Sequence, residues 1–195
     1  MKFLCCSDTH GRVPPALDEQ GATAWLHAGD VYNCLKLGRK PEGRNDFDKM
    51  KSWLAQRPIP VYASAGNHDC MNPCNFDMCY DVDIAKITPK LSLVRIGWHN
   101  EKFDDIPMES TIAKVVERAM RTAYRSMKDG DHSILLCHWP PSLPPNSIPG
   151  IELKQEHGWI FRSVEMMVDA LRPSAAIFGH LHQMGGARLP SFLPT

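Results

Sequence analysis

The chain has 195 residues, enough for one globular domain with a core of its own and no need of a disulfide or metal to fold. Its 22 basic and 22 acidic residues cancel, which excludes a global positive field of the kind that holds long nucleic acid. An anionic substrate must be held locally.

The opening "MKFLCC" runs into polar "SDTHGR", too short an apolar stretch for a signal peptide or a membrane span. Seven cysteines, an odd number, fit reduced thiols better than a disulfide framework. The expectation is a cytoplasmic protein without membrane contact.

Short apolar runs, each ended by polar or glycine punctuation, predict buried strands at 2–7, 24–29, 60–66, 91–97, 133–138 and 175–180. Helical spacing predicts a helix over 46–56. A second covers 110–128, where Ile112, Val115, Val116, Ala119, Met120, Ala123, Tyr124 and Met127 share a stripe. A third, over 160–172, aligns Ile160, Val164, Met167, Val168 and Leu171 and stops at Pro173. The segment from Pro140 to Trp159, with five prolines before Gly150, is too proline-rich in that half for a regular element and reads as a long ordered loop. No repeat or linker divides the chain, so residues 1–195 form one α/β domain.

The chemistry lies where the strands end. "SDTHG" offers Asp8 and His10, "GD" offers Asp30, and "GNHD" offers Asn67, His68 and Asp69. His138 closes the fifth run, and "GHLH" closes the sixth with His180 and His182, which alternation points the same way. Five of the six runs thus deliver imidazole, carboxylate or amide groups to one edge. Such a donor set suits manganese, iron, zinc, nickel or cobalt, and the lack of a thiolate cluster argues against a structural zinc knot. There are donors for two ions. Two dications about 3.5–4 Å apart need an anionic bridge, which Asp30 can supply.

With these blocks in order, D-x-H, G-D, G-N-H-[DE], H and G-H-x-H, the sequence resembles the calcineurin-like metallophosphoesterases from Asp8 to His182. Its short "SDTHG" opening is most similar to the small bacterial and archaeal phosphodiesterase branch. The resemblance implies an α-β-β-α sandwich. Only "QMGGARLPSFLPT" follows the last block, so the second sheet is expected to be short at its C-terminal end and an edge is left for a second copy of the chain.

The resemblance also implies roles. Asp8, His10 and His182 would hold one metal, Asn67, His138 and His180 the other, and Asp30 would bridge them. His68 would face the substrate as proton donor, oriented and kept protonated by Asp69. The cofactors would be two divalent transition-metal ions, manganese first among those accepted. Hydroxide generated between them would attack a small or exposed phosphodiester in line. A phosphomonoesterase or protein phosphatase with the same centre is the alternative. A metal-binding scaffold without turnover is the second.

Arg12, beside the first block, and Trp139, next to His138, are candidates for substrate contact, the arginine on phosphate and the indole on a base or aryl group. His27, His99, His132 and His157 match no block and read as structural, with His157 the exception to watch because it lies in the long loop after His138. Cys5, Cys6 and Cys137 read as small core residues, and Cys70, Cys74 and Cys79 as loop thiols. Arg39, Lys40 and Arg44 read as a solvated basic loop near the site.

Overall fold

A computed structural model of the chain describes residues 1–14, 17–32, 41–69, 77–79, 81–97, 114, 116–122, 131–142 and 158–182. Among the described residues eight strands form two four-stranded sheets. The first sheet has the order β1 (Lys2–Cys6), β2 (Ala22–His27), β3 (Val61–Ser64), β4 (Asp77–Cys79), all parallel. The second has the order β5 (Val82–Thr88), β6 (Leu91–Ile96), β7 (His132–Cys137), β8 (Ala175–Ile177). Here β5 and β6 are an antiparallel pair, and β6, β7 and β8 run parallel.

Alternation along the strands sorts side chains into three apolar layers. Leu26 of β2, Leu93 of β6 and Leu136 of β7 face inward and fill the space between the sheets. Their neighbours Val94, Ile96, Leu135 and Cys137 face outward and meet Ile160, Phe161, Val164 and Met167 of α2 (Gly158–Leu171). On the opposite side, Val31, Tyr32 and Ala63 meet Met50 and Leu54 of α1 (Pro41–Ala55). The result is the expected α-β-β-α stack. Among the described residues no helix is long and apolar enough to cross a membrane.

All six expected strands are present, within two or three residues at their ends. The helix expected at 46–56 starts earlier, at Pro41, where proline is tolerated in a first turn. Of the segment 110–128, residues 114 and 116–122 are described and helical except for 115, whose placement is outside them. Ala119 is buried as expected, but Met120 lies on the rim of the stripe and is exposed. Cys5 corrects the reading of a core thiol, because β1 is the edge of its sheet and Cys5 faces solvent. Cys137 is buried, and Cys79 sits in β4 rather than a loop. The loop 143–150, the tail 183–195, Cys70, Cys74, His99, His157, Arg39, Lys40 and the Arg44 side chain lie outside the described residues.

The sequence reading missed β4 and β5. A buried arginine holds them together: Arg95 of β6 donates Nη1 to the Asp77 carbonyl and carboxylate at 2.9 and 2.8 Å, pairs through Nη2 with Asp83, and lies over Tyr62. Asp77 belongs to the first sheet and Asp83 to the second, so one guanidinium joins their edges with the planar fork that lysine lacks.

Candidate metal centre

Parallel pairing puts the carboxyl ends of β1, β2 and β3 on one edge of the first sheet, and those of β6, β7 and β8 on one edge of the second. These two edges meet. The Ser64 hydroxyl donates to the Leu136 carbonyl at 2.8 Å, tying the end of β3 to β7. The candidate residues therefore come from both sheets, three loops from one and two from the other, where the sequence reading had placed them on a single edge.

The turns that carry them are strained. Asp8, His10, Asp30 and His180 have φ of 52°, 48°, 53° and 69°, in the left-handed region that non-glycine residues seldom enter, at roughly 1–3 kcal/mol each. Hydrogen bonds between loops hold them there. Asp8 N–H donates to the Gly29 carbonyl at 2.9 Å, and His10 N–H to the Asp30 carbonyl at 2.9 Å. Both carboxylate oxygens of Asp8 accept the His180 N–H at 3.0 Å. Gly179 permits this approach, since a Cβ there would stand 2.7 Å from Asp8 Oδ2 and 2.6 Å from the Ala28 carbonyl oxygen. At Gly29, φ is 86° and a Cβ would fall 2.6 Å from His138 Nδ1.

All seven candidate ligands lie in one cluster. His10 Nε2 is 3.1 Å from His182 Nε2, and His182 Nε2 is 3.3 Å from Asp8 Oδ1. On the other side, Asn67 Oδ1 is 3.0 Å from His138 Nε2 and 3.2 Å from His180 Nδ1. Asp30 Oδ2 reaches both sides, 3.8 Å from His10 Nε2 and 3.4 Å from His138 Nε2. Ligand atoms of Asp8, His10 and His182 lie within 4.8 Å of one another, as do those of Asp8, Asp30 and His138, so Asp8 also borders both sides.

This donor set fits cations. His138 Nδ1 donates to the Ala28 carbonyl at 2.8 Å, which leaves Nε2 to present a lone pair to Asp30 Oδ2 and Asn67 Oδ1. Lone pairs that converge in a buried place require a positive charge among them. Without a metal, a proton fills the position. Burial opposes the charge on His138, but the Asp30 carboxylate and its hydrogen bond, with Asp8 and the Ala28 carbonyl, push its pKa up to about 9. Burial likewise opposes charge on Asp30, yet His138 and the His68 N–H hold its pKa below the usual carboxylate range. At His10 burial prevails and lowers the pKa.

A pH dependence follows. His138 binds its proton more tightly folded than unfolded, so that stability is fully present below about pH 6.5 and is lost as pH rises towards about 9. Asp69, raised to about 7 by burial and Asp30, and His27, lowered to about 3 by burial, change stability in opposite directions and mostly below pH 7. Between pH 7 and 8 His138 dominates among the described residues, before the thiols of Cys5, Cys6, Cys79 and Cys137, all pushed up by burial, begin to add to the fall. Thermal or urea unfolding with chelator present should show stability falling by about 1.4 kcal/mol per pH unit there. A divalent cation displaces that proton, so its addition should abolish the fall. A flat profile in chelator would show that His138 carries no such proton.

The remaining candidates separate. His68 is half-buried, its ring edge-on to His10 with centroids 5.0 Å apart, and its N–H donates to Asp30 Oδ1 at 2.9 Å. Asp69 is buried, and its carboxylate accepts the N–H groups of Gly66 and Tyr32 at 2.9 Å and of Val31 at 3.3 Å. It fastens the loop after β3 to the loop after β2, a duty the sequence did not announce. Arg12 is exposed in the turn closed by its own N–H to the Thr9 carbonyl at 2.8 Å. Trp139, a candidate for substrate contact, is buried against Phe161, and its ring lies 3.9 Å from that of His180. The indole stacks on the imidazole and thereby orients it. His132 meets only the surface, with Nδ1 3.1 Å from Ser174 Oγ.

A search of curated proteins gives no match. The family model for calcineurin-like phosphoesterases matches residues 1–184. With a two-sheet sandwich and a metal-suited cluster at its carboxyl edges, this chain belongs to the calcineurin-like phosphoesterase family and is a metal-dependent hydrolase of phosphoric esters.

Proposed function

We propose that the substrate is a small or exposed phosphodiester. In this reading Asp8, His10 and His182 hold one divalent ion, Asn67, His138 and His180 hold a second, and Asp30 bridges them. The observation that carries it is the reach of Asp30 Oδ2 to imidazoles on both sides of the cluster. Bound there, two ions would supply Lewis acidity towards the phosphoryl oxygens and a water of lowered pKa. Manganese is the first candidate, since oxygen and imidazole donors without thiolate suit it.

The chain's own groups do the rest. Asp30 Oδ1 holds the peptide N–H of His68, which fixes the backbone of the proton donor relative to the bridge. The imidazole of His68 then gives its proton to the leaving oxygen, with Asp69 securing the loop that bears it. Arg12, exposed and two residues beyond His10, is the candidate to greet a phosphate. Among the described residues a single such guanidinium stands beside the site, which suits a monoanionic diester better than a dianionic monoester. The balanced charge of the chain speaks for a compact substrate rather than long nucleic acid. We also propose a single domain over residues 1–195 and a cytoplasmic setting, supported by the free thiols of Cys5, Cys6, Cys79 and Cys137.

The test is hydrolysis of an aryl phosphodiester and the matching aryl phosphomonoester by metal-stripped protein resupplied with Mn²⁺, Ni²⁺, Co²⁺ or Zn²⁺. Cleavage of the diester that depends on added metal is expected. Cleavage of the monoester alone would make the protein a phosphatase, and metal uptake with neither cleaved would make it a scaffold.

A further inference from the structure

His27 matches no ligand block, yet it is buried at the end of β2, directly behind the turns that carry Asp8, His10 and Asp30. Its Nε2 lies 2.9 Å from Thr9 Oγ1. The Thr9 hydroxyl in turn reaches the Val31 carbonyl at 3.0 Å and the Asp30 carbonyl at 3.5 Å. A hydroxyl has one proton. His27 Nδ1 is buried without a partner among the described residues, so the ring proton belongs on Nε2, which donates to Thr9, and the hydroxyl proton goes to the Val31 carbonyl, which can only accept. This fixes the imidazole as the neutral Nε2–H tautomer, in keeping with the burial that lowers its pKa to about 3.

The chain of donors runs from β2 through Thr9 to the loop after β2. Thr9 stands between Asp8 and His10, both at positive φ, and the carbonyls it meets flank the third strained turn, at Asp30. One side chain thus cross-links two strained loops. The arrangement is not explained by stability, since His27 Nδ1 is buried without a hydrogen-bond partner among the described residues. An apolar side chain there would leave no such atom orphaned.

We infer that Thr9 and His27 are positioning residues, a hydrogen-bonded pair that holds the Asp8, His10 and Asp30 donors at the spacing a divalent ion requires. The inference rests on the metal-centre reading above, and its effect is on ion affinity before any chemistry. Groups that orient ligands without touching the metal cost about 10–100-fold in affinity when removed.

The experiment is calorimetric titration of Mn²⁺ into metal-stripped full-length protein, with thermal unfolding of each metal-free variant alongside. Thr9→Val keeps the shape and loses the hydroxyl, and His27→Leu loses the donor; each should weaken Mn²⁺ binding by about 10–100-fold. The double variant should be little worse than either alone, because the pair acts as one unit. Thr9→Ser, and His27→Gln whose amide can donate from the Nε2 position, should stay near the wild type. The metal-free unfolding temperature of His27→Leu should be unchanged or raised. Mn²⁺ affinity equal to wild type in Thr9→Val and His27→Leu would overturn the inference, as would losses that track lowered unfolding temperatures and are not rescued by serine or glutamine. If the wild type itself bound no Mn²⁺, the metal-centre reading would fall and take this one with it; normal wild-type binding with unaffected variants would sink the pair alone.

Discussion

Asp30→Asn is expected to lower phosphoester turnover by more than about 10²-fold, beyond the loss typical of groups that only orient ligands. Its metal-free form should lose stability on the order of 3 kcal/mol at pH 7, because a buried partner of His138 is removed. The substitution keeps the shape and an oxygen for the His68 N–H, so the loss reports charge. Two dications about 4 Å apart repel by roughly 17 kcal/mol even at an effective dielectric of 20. A neutral amide between them does not offset that repulsion. Metal analysis of the variant should find at most one tightly held ion per chain. Asp8 borders both sides of the cluster as well, and Asp8→Asn is the control: it should empty the position shared with His10 and His182 and spare the other. Two ions and full turnover in Asp30→Asn would move the bridge to Asp8.

The strands and the cluster were legible because buried parallel strands have a distinctive pattern. With both faces covered they read as unbroken apolar runs, and the polar residues that close them must sit at the carboxyl edge, where loops leave the sheet. That is why Asp8, Asp30, Asn67, His138 and His180 can be placed together from the sequence. β5 escaped because it is an edge strand whose run is interrupted by Asp83 and Lys86, and β4 because three residues carry too little pattern. Both depend on Arg95, whose partners are set by how the sheets stack. Tertiary contacts also hid the support of the site. Neither the stacking of Trp139 on His180, nor the Asp69 carboxylate on three peptide N–H groups, nor the bond from His27 to Thr9 follows from spacing along the chain. The positive φ values gave no warning either, since aspartate and histidine occupy those positions rather than glycine.

His68→Ala is expected to cut turnover by about 10²–10⁴-fold while leaving the metal content unchanged. The structural grounds for separating the two effects are specific. The contact between residue 68 and Asp30 runs through the backbone N–H, which alanine retains, so the bridging carboxylate keeps its partner. What alanine removes is the ring beside His10, whose loss costs an edge-on contact. The deficit should depend on the leaving group. An aryl oxide that departs readily as an anion needs little help from a proton donor, whereas an alkoxide needs it fully, so the variant should be most impaired on alkyl diesters. A uniform loss across leaving groups would assign His68 to holding substrate, and loss of metal with activity would make it a ligand. Asp69→Asn separates the remaining possibility. If Asp69 acts through the loop it fastens, the asparagine variant should weaken both turnover and stability, and its impairment should not follow the leaving group as that of His68→Ala does.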